Sequence, residues 1–301
     1  MVPGKLFSEI VRRLPGGEVS VTMNEHHQFN LKCMGSRTNI SGQDAELYPR
    51  LPVVNDEREI TLPQDMLKDM IQKTEFAIAV DDMREILTGS LLEISGGEVR
   101  MVALDGFRLA LRQAKCSETE EKISAIIPGR AIGDIGKLLS GGEDAMAQLS
   151  FDGNRLHISL ENTDIYVLLV EGEYIQYRKI LPTKFATKVT AQLDAFRRCV
   201  DRASLMAREG NNNLIMLKIE GGQMYIESHS QIGDVHEEME VEQDGGDMNI
   251  AFNVKYLTDV VRSIDTEELV INLNNSVSPC VITPKGDPDY MHLVLPVRTQ
   301  A

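Results

Sequence analysis

Three pairs of basic residues recur along this chain at a constant spacing of 125 residues. Lysine and arginine side chains at repeated positions can bind the phosphates of a polyanion such as nucleic acid. Surface helices carry basic residues in any case, but six matched basic positions stand out in a chain with 31 basic and 46 acidic residues. We therefore predict a shared basic surface that meets a polyanion. The pairs are Lys5 with Arg12, Arg130 with Lys137, and Lys255 with Arg262.

Each basic pair lies in a segment whose apolar residues have helical spacing, i, i+3, i+4 and i+7. At about 100° per residue, both basic positions lie roughly opposite the apolar stripe, so each predicted helix has one apolar and one basic side. We call these repeats type B. Their matched apolar positions are Phe7, Ile132 and Leu257; Ile10, Ile135 and Val260; Val11, Gly136 and Val261; and Leu14, Leu139 and Ile264.

A second kind of repeat, type A, lies between the copies of the first. Residues 59–61 (EIT) match residues 188–190 (KVT), and each begins a predicted strand and helix. Alternating apolar residues around two Gly-Gly pairs then predict hairpins at residues 92–102 and 217–226. Type A also carries basic residues that flank the apolar stripe less cleanly, so we give them less weight: Lys68 with Arg197 and Lys73 with Arg202.

Both repeat types predict the same α+β unit of a strand, a helix and several antiparallel strands. In type B, an Asp-Gly turn within residues 148–160 marks a further hairpin after the helix. The order of the units along the chain is B, A, B, A, B. The series therefore starts half-way through a period.

Composition limits the class of protein. With 301 residues and 42% hydrophobic residues, the chain can bury a substantial core in two or three domains. The sequence shows no signal peptide and no apolar run of membrane-spanning length, so we expect a cytoplasmic protein without membrane contact. A net charge of −15 opposes binding to nucleic acid, so any DNA contact must be confined to a basic face.

The sequence offers no catalytic or metal site. Its four cysteines and six histidines have no metal-ligand spacing, which favours reduced thiols and no cofactor. P-loop, HExxH and GxSxG motifs are absent. The acidic pairs Asp81-Asp82 and Glu237-Glu238 could hold Mg²⁺ or act as acid and base, but solvated acidic pairs are far commoner. We assign no catalytic residues.

Four motifs in order along the chain carry a family resemblance. Residues 104–110 (LDGFRLA), 177–182 (YRKILP), 252–257 (FNVKYL) and 293–298 (LVLPVR) together resemble the bacterial DNA polymerase III beta subunit, the sliding clamp family. The resemblance covers essentially the whole chain. It implies a DNA clamp fold of three similar domains with two units each. Two crescents join head to tail into a ring, with helices lining the hole and sheets outside.

The resemblance also implies a function for the basic residues. Lys5, Arg12, Arg130, Lys137, Lys255 and Arg262 would face double-stranded DNA without reading its sequence. Such a clamp is a processivity factor that holds DNA by enclosure, a non-catalytic accessory subunit of the replicative DNA polymerase. Weak phosphate contacts then permit sliding.

The implied partner site is an apolar pocket between the second and third domains. It would receive short peptide motifs from the replicative polymerase, the clamp loader and repair proteins. Four residues depart from the family pattern: Leu104 for a Thr, Phe107 for a His, Ile175 for a Pro and Lys179 for an Arg. The implied pocket residues are Leu87, Leu104, Gly106, Phe107, Arg108, Leu109, Ile175, Ile180, Asn253, Tyr256, Val277, Pro279, Leu293, Val294, Leu295, Pro296, Val297 and Arg298.

Compared with the family, the first unit is missing, so the expected domains are unequal. Residues 1–56 would form only the second half of a first clamp domain, residues 57–180 the second domain and residues 181–301 the third. A basic strand would still meet an acidic edge in a homodimer. The implied interface residues are Lys32 and Arg37 on one side and Leu205, Met206, Asp234 and Glu237 on the other.

Three hypotheses from different classes remain open. A sliding clamp predicts a dimer that is retained on circular DNA and lost when that DNA is linearised. A shortened clamp acting as a partner-binding adaptor predicts peptide binding without retention on DNA. An enzyme built on repeats predicts a ligand or metal in a polar cleft, and the sequence supports this hypothesis least.

Overall fold

The computed structural model describes residues 1–49, 58–81, 83–118, 122–142, 144–210 and 213–298. The chain divides into two compact units, Met1–Val53 and Val54–Ala301. The predicted boundary between a second and a third domain lies within the second unit. The three-domain division therefore stays a prediction.

The first unit is one helix and a small antiparallel sheet. Helix α1 spans Gly4–Arg12 and begins after Pro3, which supplies no side-chain cap. The sheet has the order β1-β2-β3, and the buried side chains among the described residues of this unit are Leu31, Cys33 and Ile40. No residue of α1 is buried. The strands are β1 (Val19–Met23), β2 (Gln28–Cys33) and β3 (Ser36–Ser41), followed by a 3₁₀ turn at Ala45–Leu47.

The second unit repeats the pattern of strand, helix and antiparallel strands. Its helices are α2 (Gln64–Gln72), α3 (Gly129–Leu138), α4 (Leu193–Glu209) and α5 (Val254–Ser263). Its first strands are β4 (Arg58–Pro63), β5 (Gly89–Ser95), β6 (Glu98–Leu104), β7 (Arg108–Lys115), β8 (Ile123–Pro128), β9 (Met146–Asp152), β10 (Arg155–Leu160) and β11 (Thr163–Leu168). The others are β12 (Thr187–Gln192), β13 (Leu214–Glu220), β14 (Gln223–Ser230), β15 (Gly233–Glu240), β16 (Glu242–Gly245), β17 (Met248–Asn253), β18 (Glu268–Leu273), β19 (Cys280–Pro284) and β20 (Tyr290–Val294).

These strands form three sheets. A nine-stranded sheet has the order β16-β12-β18-β19-β20-β7-β6-β5-β8, and two four-stranded sheets have the orders β11-β10-β9-β4 and β15-β14-β13-β17. In the large sheet, the first type A repeat and the last type B repeat meet where β20 pairs with β7, with Leu293 opposite Leu109. This antiparallel pairing makes one continuous sheet from residues that are far apart in the chain.

The predicted hairpins are confirmed. Strands β5 and β6 turn at Gly96 and Gly97, and β13 and β14 turn at Gly221 and Gly222. All four glycines have positive φ, between 59° and 82°, which side chains with a Cβ rarely adopt. The predicted Asp-Gly turn likewise joins β9 and β10 into a hairpin.

The type B helices are confirmed, with one difference at their ends. Each helix buries its stripe by packing against a type A helix where one is present, α3 against α2 and α5 against α4. The i+7 residues Leu14, Leu139 and Ile264 lie just after the helices end. Leu139 and Ile264 are nevertheless buried, because the chain leaves each helix over the same core.

Buried side chains of the second unit form two large clusters. One surrounds α2 and α3 and includes Phe151, and the other surrounds α4 and α5 and includes Phe196 and Phe252. Among the described residues, no helix has the length and apolar character needed to cross a membrane.

Candidate functional site

All six matched cations of the type B helices are exposed, on the side away from the apolar stripe. Two of them have carboxylate neighbours. Lys137 Nζ lies 3.2 Å from Asp134 Oδ1, and Arg262 Nη2 lies 3.5 Å from Asp201 Oδ1. No ion pair to a described residue is found for the other four, Lys5, Arg12, Arg130 and Lys255.

The type A cations are held by internal contacts. Lys73 is only 11% exposed and its Nζ lies 2.9 Å from Asp69 and 3.3 Å from Asp265. Arg197 donates to the carbonyl oxygens of Val261 and Ile264 at the end of α5. Their lower weight as phosphate ligands therefore has a physical basis, because each cation is already engaged in holding elements together.

The other two type A cations are also engaged. Lys68 Nζ donates to the carbonyl oxygen of Leu139 at 2.9 Å. Arg202 forms an ion pair with Glu237 on β15, and hydrogen bonds between the two raise the pKa of the arginine and lower that of the glutamate. All four type A cations thus contact their own protein, whereas two of the six type B cations have an ion pair to a described residue.

An apolar cavity of about 280 Å³ lies at the joint between β20 and β7. Its lining comes mainly from the turn between β6 and β7, the end of β20 and the segment after Tyr177. Nine of the eighteen predicted pocket residues line it. They are Leu104, Gly106, Phe107, Arg108, Leu109, Ile180, Pro279, Leu293 and Leu295.

The turn that carries Phe107 is fixed by backbone hydrogen bonds. Asp105 Oδ1 accepts from the backbone N–H of Phe107 at 2.9 Å and of Arg108 at 3.0 Å. Gly106 between them has φ 89°, which favours glycine. The carbonyl oxygen of Phe107 accepts from the N–H of Leu295 at 2.8 Å, so this turn and the chain after β20 hold each other.

Arg108 is buried at the wall of the cavity. Its guanidinium donates to Asp105 at 3.0 Å, to the carbonyl oxygen of Phe76 at 2.5 Å and to Asp259 on α5. It also lies 4.9 Å from the centre of the Tyr256 ring. Sequence reasoning named Arg108 but missed the partners that fix it, of which only Asp105 lies in the same motif.

Phe107, which lines the cavity, stacks on Tyr256, which does not. Their rings are stacked with centres 6.0 Å apart, and the Phe107 side chain is exposed. Burial and the nearby Asp105 carboxylate raise the pKa of Tyr256. An exposed aromatic ring beside an apolar cavity gives a large contact area to an apolar side chain.

The segment between β11 and β12 is anchored to the sheet. The Tyr177 hydroxyl donates to Glu93 at 2.6 Å and Arg178 Nη2 donates to the same carboxylate at 2.8 Å. Burial raises the pKa of Glu93, but the hydrogen bonds from Arg178 and Tyr177 outweigh burial and hold it below its ordinary value. This anchor fixes the position of Ile180, which lines the cavity.

The remaining predicted pocket residues do not line this cavity. Leu87 and Val294 are fully buried in the core, and Ile175 packs partly buried against the same cluster as Leu87. Asn253 caps α5, its side chain accepting from the N–H of Lys255 at 3.0 Å. Val277 is exposed, Pro296 is partly buried, Val297 donates its N–H to Ala251, and Arg298 is exposed.

The predicted interface residues lie in two places, the β2–β3 hairpin of the first unit and α4 with β15 of the second. Lys32 and Arg37 are exposed and directly opposite on β2 and β3, so two positive charges lie side by side. Leu205 is exposed and Met206 partly exposed near the end of α4, and Asp234 and Glu237 lie on β15.

The described members of the acidic pairs, Asp81, Glu237 and Glu238, belong to no cluster that could hold a metal. No cluster of three or more metal-ligating side chains occurs among the described parts of the chain. Asp82 lies outside the described residues. Glu237 is engaged by Arg202, as above, and Glu238 is exposed on β15.

Comparison with known proteins agrees with this architecture over nearly the whole chain. Family models for the DNA polymerase III beta subunit match its N-terminal domain at residues 1–52, its central domain at 61–176 and its C-terminal domain at 178–298. A beta sliding clamp of Staphylococcus aureus is 34% identical over 301 residues, covering 99% of this chain and 80% of the relative.

Solved structures give the same result. The sliding clamp of Bacillus subtilis matches with a TM-score of 0.94 and 29% identity, over 99% of this chain and 80% of that one. A putative DNA polymerase III beta subunit from Eubacterium rectale matches with a TM-score of 0.91 and 32% identity, over 98% and 80%. A Pseudomonas aeruginosa clamp bound to griselimycin matches with a TM-score of 0.91 and 26% identity, over 99% and 81%.

Repeated α+β units of this kind define a DNA clamp fold, which confirms the predicted fold class. The chain belongs to the DNA polymerase III beta subunit family, the bacterial beta sliding clamps. The predicted function, a DNA sliding clamp in replication, is confirmed, as is the prediction of a non-catalytic subunit rather than an enzyme.

Proposed function

We propose that this clamp contacts duplex DNA through Lys5, Arg12, Arg130, Lys137, Lys255 and Arg262, without reading base sequence. The observation that carries the proposal is the exposure of all six side chains at equivalent positions of repeated helices. Phosphate contacts of this kind are strong only at low salt, and a ring that encloses DNA does not need them to be strong. Weak contacts let the ring slide.

The proposal is tested by reversing one charge in each type B helix. Changing Arg12, Lys137 and Arg262 to Glu together should strongly reduce loading and retention on nicked circular DNA. The fold should stay intact because surface charge changes typically cost no more than about 0.5 kcal/mol. Retention of the variant equal to that of the parent chain would overturn the assignment of these residues.

The parent chain in the same experiment separates a clamp from an adaptor. We propose that two copies close a ring, the basic pair Lys32 and Arg37 of one copy meeting Leu205, Met206, Asp234 and Glu237 of the second copy. A closed ring stays on circular DNA and leaves when that DNA is linearised. A protein that binds partners without closing would not be retained on either form. Because such a ring acts in the replication of bacterial DNA, the protein would lie in the cytoplasm.

We propose further that the apolar cavity binds short peptide motifs of the replicative polymerase, the clamp loader and repair proteins. Its support is geometric: apolar walls, an exposed Phe107 ring and a few fixed polar groups suit a short peptide. The related Pseudomonas clamp was solved with griselimycin bound. The departures Leu104, Phe107, Ile175 and Lys179 would set the preference among peptides.

The cavity assignment is tested with Leu295→Ala. Truncating a central apolar contact should weaken binding of a polymerase C-terminal peptide by about 2 kcal/mol, roughly thirtyfold. Leu168→Ala is a matched control, because Leu168 is an exposed leucine on β11 that does not line the cavity. Equal affinities of the Leu295 and Leu168 variants would remove the cavity from the proposal.

A further inference from the structure

Within each of the helices α3 and α5, the two cations have different surroundings. The first cation of each helix, Arg130 or Lys255, has no ion pair to a described residue. The second cation, Lys137 or Arg262, has a carboxylate neighbour at 3.2 Å or 3.5 Å. In both helices, therefore, the second cation has an acidic neighbour and the first cation has none among the described residues.

The two carboxylates come from different places in the fold. Asp134 lies on α3 itself, three residues before Lys137. Asp201 lies on α4, the helix that packs against α5. The position of Asp134 recurs 125 residues later as Asp259 on α5, but Asp259 forms its ion pair with Arg108 instead. In α3 and α5, two different elements thus bring a carboxylate to the matched cations Lys137 and Arg262.

Both pairs are open to solvent. The side chains of Lys137 and Asp134 are 77% and 62% exposed, and those of Arg262 and Asp201 are 61% and 43% exposed. Exposed pairs contribute little to stability, about 0 to 1 kcal/mol. A phosphate can therefore displace either carboxylate, and the pairs are not needed to hold the helices in place.

A nearby carboxylate changes what a cation gives to DNA. A phosphate that binds Lys137 or Arg262 must replace the carboxylate and then lie within a few ångströms of its negative charge. At such distances salt screens the repulsion only in part. The gain from releasing counterions of DNA is reduced accordingly.

We propose that Asp134 and Asp201 are tuning residues that weaken the phosphate contacts of Lys137 and Arg262 and so keep the clamp mobile on DNA. This inference rests on the DNA-facing role proposed above for the type B cations. The free cations Arg130 and Lys255 attract the duplex. The paired cations give contacts that break and reform easily as the phosphates move past.

The test measures affinity for a linear duplex over a range of salt concentrations. Asp134→Asn and Asp201→Asn keep the shape of the side chain and remove its charge. Each should tighten binding about two- to fivefold at low salt, the range that corresponds to a surface ion pair. The double variant should also steepen the dependence on salt, by up to about 0.9 in the log–log slope for each added phosphate contact.

Glu220→Gln is the matched control for net charge. Glu220 pairs with Lys218 at 2.5 Å on the β13–β14 hairpin, and both side chains are about half exposed. This change also removes one negative charge and frees one lysine, but away from the type B helices. Affinity gains of Asp134→Asn and Asp201→Asn no larger than that of Glu220→Gln would overturn the inference.

Lys137→Gln and Arg262→Gln separate failure of this inference from failure of the proposed function. If these two variants weaken DNA binding while the aspartate variants match the control, the cations bind DNA and the aspartates do not tune them. If the lysine and arginine variants bind as tightly as the parent chain, both the DNA-facing role and the inference built on it are wrong. Thermal unfolding of every variant checks that the fold is unchanged.

Discussion

Helix α1 and its counterparts α3 and α5 have matched sequences and very different surroundings. Ile132 and Leu257 are completely buried, whereas Phe7 at the same position of α1 is partly exposed. Five residues of α5 and none of α1 are buried. In the first unit no second α-helix occurs among the described residues, while α3 and α5 each have one.

This comparison distinguishes the formation of an amphipathic helix from the burial of its apolar face. The spacing of apolar residues is enough to define a helix with one apolar face. Burial of that face depends on a partner surface, and most helical stability in proteins comes from such packing. The close approach of α2 to α3 illustrates this, since a Cβ on Gly136 would lie 3.1 Å from Ile71 Cγ2. Val11, at the same position of α1, is exposed.

The largest expected difference is in amide hydrogen exchange. The first unit has few buried side chains, and all five residues of β1 are exposed. We expect amides of α1 and β1 to exchange at least about 100-fold faster than those of α3 and α5, because local opening there costs little. Mass spectrometry of the intact chain at neutral pH measures this. Equal protection of α1 and α5 would show that the first unit is stable as it stands.

The next difference is in the cost of truncating matched side chains. Leu257→Ala should lower the free energy of unfolding by about 2 to 5 kcal/mol, because it leaves a cavity in a packed core. Ile132→Ala should fall in the same range, and Phe7→Ala should cost less than about 1 kcal/mol. Urea unfolding followed by circular dichroism gives the three values. A Phe7 variant as costly as the Leu257 variant would contradict the contrast between the helices.

Acid should lower the stability of the second unit and so reduce its difference from the first. Burial, and secondly the Arg108 charge, lower the pKa of His292 from its ordinary 6.5 to about 3. His292 therefore becomes protonated below about pH 6.5 in the unfolded chain, but only below about pH 3 in the folded second unit. Stability of that unit should fall as pH falls through this window.

The variant His292→Leu tests that origin of the pH dependence. The other neighbours of His292 are the Ser263 hydroxyl and the rings of Phe76 and Tyr290. None of them is charged at these pH values, so the histidine itself should carry the effect. The free energy of unfolding of the variant should depend less steeply on pH between 6.5 and 3. Identical slopes would assign the acid sensitivity to other groups.

Local patterns predicted the repeats, the helices and the glycine hairpins, because each depends on residues close in sequence. The pairing of β20 with β7 was not predicted from residues alone, since it joins segments about 180 residues apart. The same limit applies to Arg108, whose contacts with Phe76 and Asp259 are distant in the chain. Side-chain direction limits the pocket prediction as well. Leu293 lines the cavity while its neighbour Val294 points into the core.

The joint between β20 and β7 has a consequence for the energetics of partner binding. The hydrogen bond from Leu295 to Phe107 and the pairing of Leu293 with Leu109 fix the parts of the lining that β7 and β20 supply before any partner arrives. A preorganised site spends little conformational entropy when a ligand binds, so more of the contact energy appears as affinity. The flexible peptide would then carry nearly all of the ordering cost. Stiffening that peptide, for example by cyclisation, should tighten binding more than any further stiffening of the clamp.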